Sequence, residues 1–443
     1  MMCRTGLWLM LGVAAASASA EAEAPRNVIL MIGDGMGFGQ VAAGGLYANG
    51  EAGSLVMESM ERVGKMTTCS ASSAITDSAA SSTAMATGVK VRTSVLSVAV
   101  PGDGEELYTV LEWARDRGRS TGLVTTVEMV DATPAAFGAH ERNRYGYEAV
   151  AGDYLTQTRP NVLFGGGSPY LASAADAGYE VVSDAASLAT LDTESAGYVC
   201  GLFGDGDMPY EIDGMGELPD LATMTRAALA ILDNNPEGFF LMVEGGLIDD
   251  SCHFHRIDRA VTEVAGFDRA VGEVLAWADG RADTLVIVTA DHETGGLEVV
   301  AGNGPGQPPE VTWTSTYHTA ADVPIYSQGV NARYLTGTVD NADLFGLMTG
   351  VVPTPGDASL DGVVGVADLV ALAEHYGLSE GVGWKQGDFT DDGEVGIADL
   401  SVLADFYGSA RGSVVPEPTA AVVLAGGGVV LLLGAKRRRR FRK

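Results

Sequence analysis

Four short apolar runs along the chain each stop abruptly at a polar or glycine-rich segment. Residues 27–32 run into Gly33-Asp34-Gly35-Met36-Gly37, and 121–126 into Val127-Glu128. Residues 239–243 run into Glu244-Gly245-Gly246, and 284–289 into Ala290-Asp291-His292. Runs this short, closed by polar punctuation, predict buried strands. Between them the period becomes helical. Ile257, Val261, Val264, Val271 and Leu275 recur at helical spacing, and Asp220 precedes 222–232 as an N-cap. Strands alternating with helices predict an α/β fold with a largely parallel sheet. Ligands in such sheets sit beyond the carboxyl ends of the strands. Carboxylates and a histidine stand at those ends here, which is the first sign of chemistry.

The two ends break this alternation. Met1-Met2-Cys3-Arg4, an apolar stretch over 7–16 and Ser17-Ala18-Ser19-Ala20 describe a secretory signal peptide over 1–20. The stretch is too short for an ordinary spanning helix. At the far end Val415-Pro416-Glu417-Pro418 leads into an apolar run over 420–435. The last segment, 436–443, has seven basic residues in eight. An apolar run flanked by cations predicts a membrane helix with the cations on the cytoplasmic side. Pro-Glu-Pro, helix and arginine cluster together resemble the PEP-CTERM sorting tail of bacterial exported proteins. The resemblance implies a tail over 415–443 that anchors the chain transiently, meets sorting machinery and is removed after export. The implied location is periplasm, cell surface or extracellular space.

Near Val351-Val352-Pro353-Thr354-Pro355 the composition shifts to that of a linker, and two copies of one unit follow over 351–410. Oxygen side chains fall at loop positions 1, 3, 5 and 12, with Gly at 6. They are Asp357, Ser359, Asp361 and Asp368 around Gly362, then Asp388, Thr390, Asp392 and Asp399 around Gly393. This is the spacing of an EF-hand calcium loop, where Gly permits a sharp turn. With Asp at position 12 and a Leu-rich helix after it, the pair resembles a dockerin type I module. That implies Ca²⁺ in each loop and a cohesin-like partner. Ser359 and Thr390 are weaker ligands than Asp or Asn, so calcium is expected to bind loosely, above all in the first loop.

Charge and size narrow the field. A chain of 443 residues allows up to about three domains. Acidic residues outnumber basic ones 58 to 27, a formal charge of −31. That excludes nucleic acid as a partner, because a phosphate backbone needs a basic stripe. It leaves room for a small anionic substrate, since bound metal ions reverse the sign inside one cleft. Outside the leader only Cys69, Cys200 and Cys252 remain, which give neither a disulfide scaffold nor zinc-finger spacing. Cys69 and Cys252 flank the motifs below and stay open as a pair in an oxidising compartment.

The decapeptide Ile75-Thr76-Asp77-Ser78-Ala79-Ala80-Ser81-Ser82-Thr83-Ala84 puts Ser78 at the start of a small-residue helix. The positive end of the helix dipole favours both an alkoxide and a bound anion there. On this segment alone a plain helix cap is the better reading, and the histidines reverse it. There are only six. His253 stands four residues after Asp249, a spacing that shares one helical face and can hold one metal. Asp291-His292 closes a strand, and His318 lies in Thr316-Tyr317-His318-Thr319. Carboxylates with imidazoles suit Zn²⁺, whereas carboxylates and hydroxyls suit Mg²⁺. His140 and His375 read as structural, and His255 as a solvated helix residue or a stray ligand.

Asp34, Asp77-Ser78-Ala79-Ala80, Asp131-Ala132-Thr133-Pro134, Glu244 through His253, Thr289-Ala290-Asp291-His292 and His318 resemble the alkaline phosphatase family in order and spacing, over roughly 27–347. The resemblance implies a three-layer α/β/α sandwich over 25–350, beside the small α-helical calcium-loop module, and a homodimer as the usual assembly. It implies two Zn²⁺ and one Mg²⁺, a phosphomonoester substrate, and Ser78 as the nucleophile that becomes phosphorylated. Asp249, His253 and His318 would hold one zinc. Asp34, Asp291 and His292 would hold the other, with Ser78 as exchangeable ligand. Asp34, Thr133 and Glu244 would hold magnesium, with Asp131 directly or through water. Arg144 would clamp phosphate beside Asp77, with Arg142 the competing candidate. Ser82 replaces the usual Gly or Ala. Asp250 replaces the usual His, Lys or Trp, and is expected near the cleft, where it would repel a dianion or draw in a cation. Two other readings stay open. One is a phosphodiesterase or sulfatase of the same superfamily, although the sulfatase Cys-x-Pro-x-Arg motif is absent and Ser78 favours monoesters. The other is a calcium-dependent surface adhesion protein with a degenerate enzyme body.

Overall fold

The computed structural model describes residues 24–410, together with the backbone of two further strands, Ala420–Ala425 and Gly428–Leu433. Ten strands form the central sheet. In chain order they are β1 (Asn27–Gly33), β2 (Arg62–Thr67), β3 (Ser120–Glu128), β4 (Val162–Gly166) and β5 (Glu180–Val182). Then come β6 (Val199–Phe203), β7 (Phe239–Gly245), β8 (Thr284–Thr289), β9 (Val323–Gly329) and β10 (Gly337–Asp340). Across the sheet they lie in the order β10-β2-β9-β8-β1-β7-β3-β4-β6-β5. Every neighbouring pair is parallel except those β9 makes with β8 and β2.

The four apolar runs are the four strands at or beside the centre, β1, β3, β7 and β8. Every residue of β1, β7 and β8 is buried. A strand covered on both faces has no use for polar alternation, so it reads as a continuous run. Helices cover both faces. On one, α6 (Ile257–Ala278) packs against α1 (Phe38–Asn49) and α4 (Leu221–Leu232), with Asp220 capping the Thr223 N–H at 2.8 Å. On the other, α2 (Ser78–Thr87) packs against α3 (Ala132–Gly138). Between β7 and α6 runs the short α5 (Leu247–His253). The result is the α/β/α sandwich expected.

The repeat segment carries α7 (Val366–His375) and α8 (Ile397–Phe406), and it is docked on the sheet edge. Trp384 packs between Tyr334 and Phe389, with ring centroids 4.7 and 5.2 Å away, and its indole N–H donates to the Asp357 carbonyl at 2.8 Å. The Gln386 amide accepts from the Thr338 N–H and donates to the Thr338 carbonyl, both at 3.2 Å. It thus satisfies backbone groups on the open side of β10, an edge that would otherwise invite a foreign strand. Arg62 grips Asp391 at 2.7 Å, and Lys385 grips Asp343 at 2.7 Å.

The expected signal peptide, 1–20, lies outside the described residues, as do Pro416 to Pro418 and the basic cluster. The tail run differs from expectation. Ala420–Ala425 and Gly428–Leu433 pair as antiparallel strands in place of one helix. Val422, Val423, Val429 and Val430 are β-branched, and Gly426-Gly427-Gly428 is a poor helix segment. Among the described residues no helix is long and apolar enough to cross a membrane.

One buried acid on α6 makes stability depend on pH. The Glu263 carboxylate accepts from the Glu211 N–H at 2.7 Å, and burial pushes its pKa from 4.5 up to about 8. A folded pKa above the unfolded one means a contribution that is complete below about pH 4.5 and lost as pH rises through 8. Glu263→Gln keeps the acceptor and removes the charge. Denaturant unfolding at pH 9 should show the variant more stable by roughly 2–4 kcal/mol, with no gain at pH 5.

Candidate active site

Strand ends build the site. β1 delivers Asp34 into a turn whose Gly35 has φ 70°, and a Cβ there would come 2.7 Å from Asp249 Oδ1. Next to β1, β8 delivers Asp291 and His292. The ligand atoms of Asp34, Asp291 and His292 lie within 4.8 Å of one another, all on buried residues. His292 Nε2 is 3.1 Å from Asp291 Oδ2, 3.4 Å from Asp34 Oδ1 and 3.4 Å from Ser78 Oγ. Ser78 is the first residue of α2, as the sequence predicts. Asp77 caps the helix through the Ala80 N–H at 3.1 Å and also accepts from the Ser94 N–H at 2.9 Å. Only small or slender residues let α2 sit wholly buried against the strand ends. Ser81 Oγ donates to the Asp291 carbonyl at 2.6 Å, and Asn341 in turn donates to Ser81 Oγ at 2.9 Å.

A second cluster joins Asp249, His253 and His318, again with ligand atoms within 4.8 Å. Asp249 and His253 lie one turn apart on α5, with Nε2 3.1 Å from Oδ2. His318 enters on a two-residue strand, His318–Thr319, paired with Glu293–Thr294. The Nδ1 of His253 faces the Thr316 carbonyl at 2.7 Å, and that of His318 faces the Thr76 carbonyl at 2.9 Å. A carbonyl only accepts, so each Nδ1 carries the hydrogen. In the neutral rings both Nε2 atoms are then bare lone pairs, and they face each other at 3.2 Å. Two lone pairs and a carboxylate converging on one point call for a cation.

The pKa shifts follow from the same crowding. Burial raises Asp34 well above the carboxylate range, helped by Asp291, Asp249 and Glu244. Burial takes Asp291 to about 6 and Glu244 to about 8, and drives His292 well down. Burial would raise Asp249 too, but the His253 hydrogen bond and the nearby imidazoles hold it low. Its hydrogen bond to Asp249 lifts His253 to about 9. A third set of oxygens lies deeper. Glu244 Oε1 and Thr133 Oγ1 are buried with no hydrogen-bond partner, and Asp34 Oδ1 and Asp291 Oδ2 have only the His292 ring close by. Unpaired buried oxygens are costly unless something positive meets them. Thr125 donates to the other Glu244 oxygen at 2.5 Å.

Asp34, Ser78, Asp249, His253 and His318 line a cleft of about 400 Å³ with Asp131, Arg144, Tyr145 and Asp250. Of the two arginine candidates the structure brings Arg144 into it, 3.1 Å from Asp131 and 3.7 Å from Asp77. Arg142 turns away to the Gly104 carbonyl at 3.3 Å. Asp250 lines the cleft, as expected. His255 stacks on Trp313 and stands outside both clusters, and His140 binds Glu112 and the Ser97 carbonyl. Cys69, Cys200 and Cys252 are all free thiols, so the open pairing of Cys69 with Cys252 is not made. Sequence reading missed Thr125, Ser94 and Thr294, whose hydroxyl binds Asp249. Each lies in an ordinary β or loop segment, with nothing local to distinguish it.

A family model described as alkaline phosphatase matches residues 25–307. The chain is 37% identical over 295 residues to alkaline phosphatase 3 of Bacillus subtilis strain 168, a match covering 62% of this chain and 63% of that one. The chain thus spans less than two thirds of that relative. Streptomycin-6-phosphate phosphatase of Streptomyces griseus is 33% identical over 413 residues, covering 74% of this chain and 90% of that protein. Among solved structures, the cold-active alkaline phosphatase of the psychrophile Shewanella sp. superposes with TM-score 0.67 at 29% identity, covering 74% of this chain and 100% of that one.

The two arginines make a paired test. A guanidinium grips two oxygens of a tetrahedral anion at once, and an ammonium does not. In the metal-loaded protein, Arg144→Lys should weaken inorganic phosphate by about tenfold or more, whereas Arg142→Lys should leave it within about twofold. Titration calorimetry with inorganic phosphate reads both.

Proposed function

The chain belongs to the alkaline phosphatase family, and from that premise we propose that it hydrolyses phosphate monoesters through a phosphoserine at Ser78. The observation that carries the reading is the convergence of Ser78 Oγ, two Asp/His clusters and Arg144 on one cleft. The donor sets fit the ions that the family uses. Asp249, His253 and His318 would hold one Zn²⁺, and Asp34, Asp291 and His292 the second. Asp34, Thr133 and Glu244, with Asp131 nearby, would hold Mg²⁺. The orphaned oxygens and the facing Nε2 lone pairs support this fit. Bound there, the ions supply the positive charge that lowers the Ser78 hydroxyl pKa and offsets charge on the departing oxygen.

The chain's own residues do the rest. Ser78 sits where the α2 dipole stabilises an alkoxide and an incoming phosphate. Arg144, held by Asp131 and Asp77, grips two non-bridging phosphate oxygens. Phosphoryl transfer has a loose transition state, so positioning and charge supply most of the rate gain. The buried α2 and its Asp77 cap keep Ser78 in line. Water then opens the phosphoserine from the opposite side, and two inversions give net retention at phosphorus. Ser78 in place of a threonine favours monoesters over the diesterase alternative.

The module over 351–410 is the second part of the reading: it would bind Ca²⁺. In the second loop, carboxylate oxygens of Asp388, Asp392 and Asp399 lie within 4.8 Å of one another. Gly393 and Gly362 take φ 81° and 84°, as a sharp loop requires. In the first loop Asp357 and Asp368 are buried around the same backbone hydrogen bonds, with Asp361 and Ser359 above them. Thr390 binds Asp399 at 2.9 Å. Val366 and Ile397, equivalent in the two copies, are both exposed, which supports a protein partner such as a cohesin. An exported protein working as a homodimer completes the reading.

Chelation by EDTA should abolish p-nitrophenyl phosphate hydrolysis, and Zn²⁺ with Mg²⁺ should restore it. Ser78→Ala should lose activity by roughly a thousandfold or more and trap no acid-stable phosphoenzyme. Turnover persisting in a metal-free sample would reject the mechanism. For the module, calorimetry of the zinc- and magnesium-loaded full chain should show calcium heat up to the millimolar range. Asp388→Ala with Asp399→Ala should remove the contribution of the second loop.

A further inference from the structure

The cleft is lined mainly by polar side chains, yet the chain neighbours of its residues include large exposed aromatics. Among the described residues the three most exposed large apolar side chains are Phe254 at 75%, Tyr317 at 74% and Tyr145 at 65%. Each is the immediate chain neighbour of a site residue: His253, His318 and Arg144. A lone exposed aromatic needs no explanation, whereas three that each adjoin a residue of one site do. Tyr145 lines the cleft directly, with the Arg144 guanidinium 5.9 Å from its ring centre. Behind it Tyr147 and Tyr170 continue an aromatic row, with centroids 6.3 and 5.9 Å apart in turn. Tyr317 stands at the Asp249–His253–His318 cluster, edge-on to the His253 ring at 6.4 Å. Tyr145 thus stands next to the phosphate clamp, and Tyr317 next to the Asp249–His253–His318 cluster, which the reading above leaves to face the departing oxygen because Ser78 belongs with the other. No hydrogen bond of either hydroxyl anchors these rings elsewhere among the described contacts. Asp250, on the same wall, disfavours a leaving group with further negative charge.

We propose that Tyr145 and Tyr317 wall a leaving-group subsite that selects phosphomonoesters of flat, uncharged aryl or heteroaryl alcohols. This rests on the phosphomonoesterase reading above and adds the substrate class to it. The two rings offer faces and edges to a planar group, and the phosphoryl end stays with Arg144 and Ser78. Simple aliphatic and polyanionic esters gain nothing from the collar.

The test separates the subsite from catalysis. Titration calorimetry on the zinc- and magnesium-loaded full chain compares phenylphosphonate with methylphosphonate, which share a head and differ in the flat group. The wild type should bind phenylphosphonate about tenfold more tightly. Tyr145→Ala and Tyr317→Ala should each cut that ratio to about threefold, and the double variant to about one. Tyr145→Phe and Tyr317→Phe should keep it. Affinity for inorganic phosphate, which has no leaving group, should hold within about twofold throughout. A ratio near one in the wild type, or one unchanged in the double variant, overturns the proposal. So does phosphate affinity falling in step with phenylphosphonate, or a collar buried in a dimer in solution. Failure of the wild type to hydrolyse p-nitrophenyl phosphate counts against the parent reading alone, because the calorimetric ratio needs no turnover.

Discussion

Everything at this site follows from crowding carboxylates where the protein supplies few cations. Asp34, Glu244 and Asp291 stand together at the ends of adjacent strands, with Asp249 beside them on α5, and Arg144 is the one arginine lining the cleft. Burial and mutual repulsion push three of the four acids up, and only Asp249, beside the imidazoles, is held low. The fold tolerates this because β1, β7 and β8 are locked by apolar burial on both faces. The sheet supplies the rigidity, and the strand ends spend it.

The same arrangement explains how much could be read from residues alone. A continuous apolar run ending in an acid marks both a buried strand and the place where its chemistry lies, so β1, β7 and β8 were legible together with Asp34, Glu244, Asp291 and His292. Asp249 and His253 were legible because helical spacing puts them on one face. His318 was legible only by its scarcity and by resemblance, since it arrives on a two-residue strand with no pattern of its own. Strands β2, β9 and β10 carry no such signal: β2 alternates half-buried and exposed positions, and β9 runs against its neighbours. The supporting hydroxyls of Thr125 and Thr294 are invisible for a different reason. Their role depends on what a distant segment brings to them, and threonine in a strand is unremarked.

The repeat segment shows the reverse case. Its spacing was plain, but its placement was not. Loop arithmetic describes an independent unit, whereas Trp384, Gln386 and Asp391 tie it to Tyr334, Thr338 and Arg62. Those contacts come from residues between and beside the ligand positions, where a motif has nothing to say. The catalytic body and the segment share one apolar core.

The strand order also sets a clock. The first strand to be synthesised becomes a central one: β1 pairs with β7 and β8, Val28 lying opposite both Phe240 and Leu285. A partial chain grown to about His253 carries only Glu244 and Asp249 for Asp34, and the full set with Asp291 and His292 waits until about residue 292. At ordinary elongation rates of about 5–20 residues per second, that delay is roughly 13–50 s. Contacts so distant in sequence also close slowly once the chain is free. The constellation of acids is therefore incomplete on a nascent chain until β8 has been made. Its last members, Asp291, His292 and His318, decide when a full set of donors for a cation first exists, and that moment comes late in the chain however early Asp34 is made.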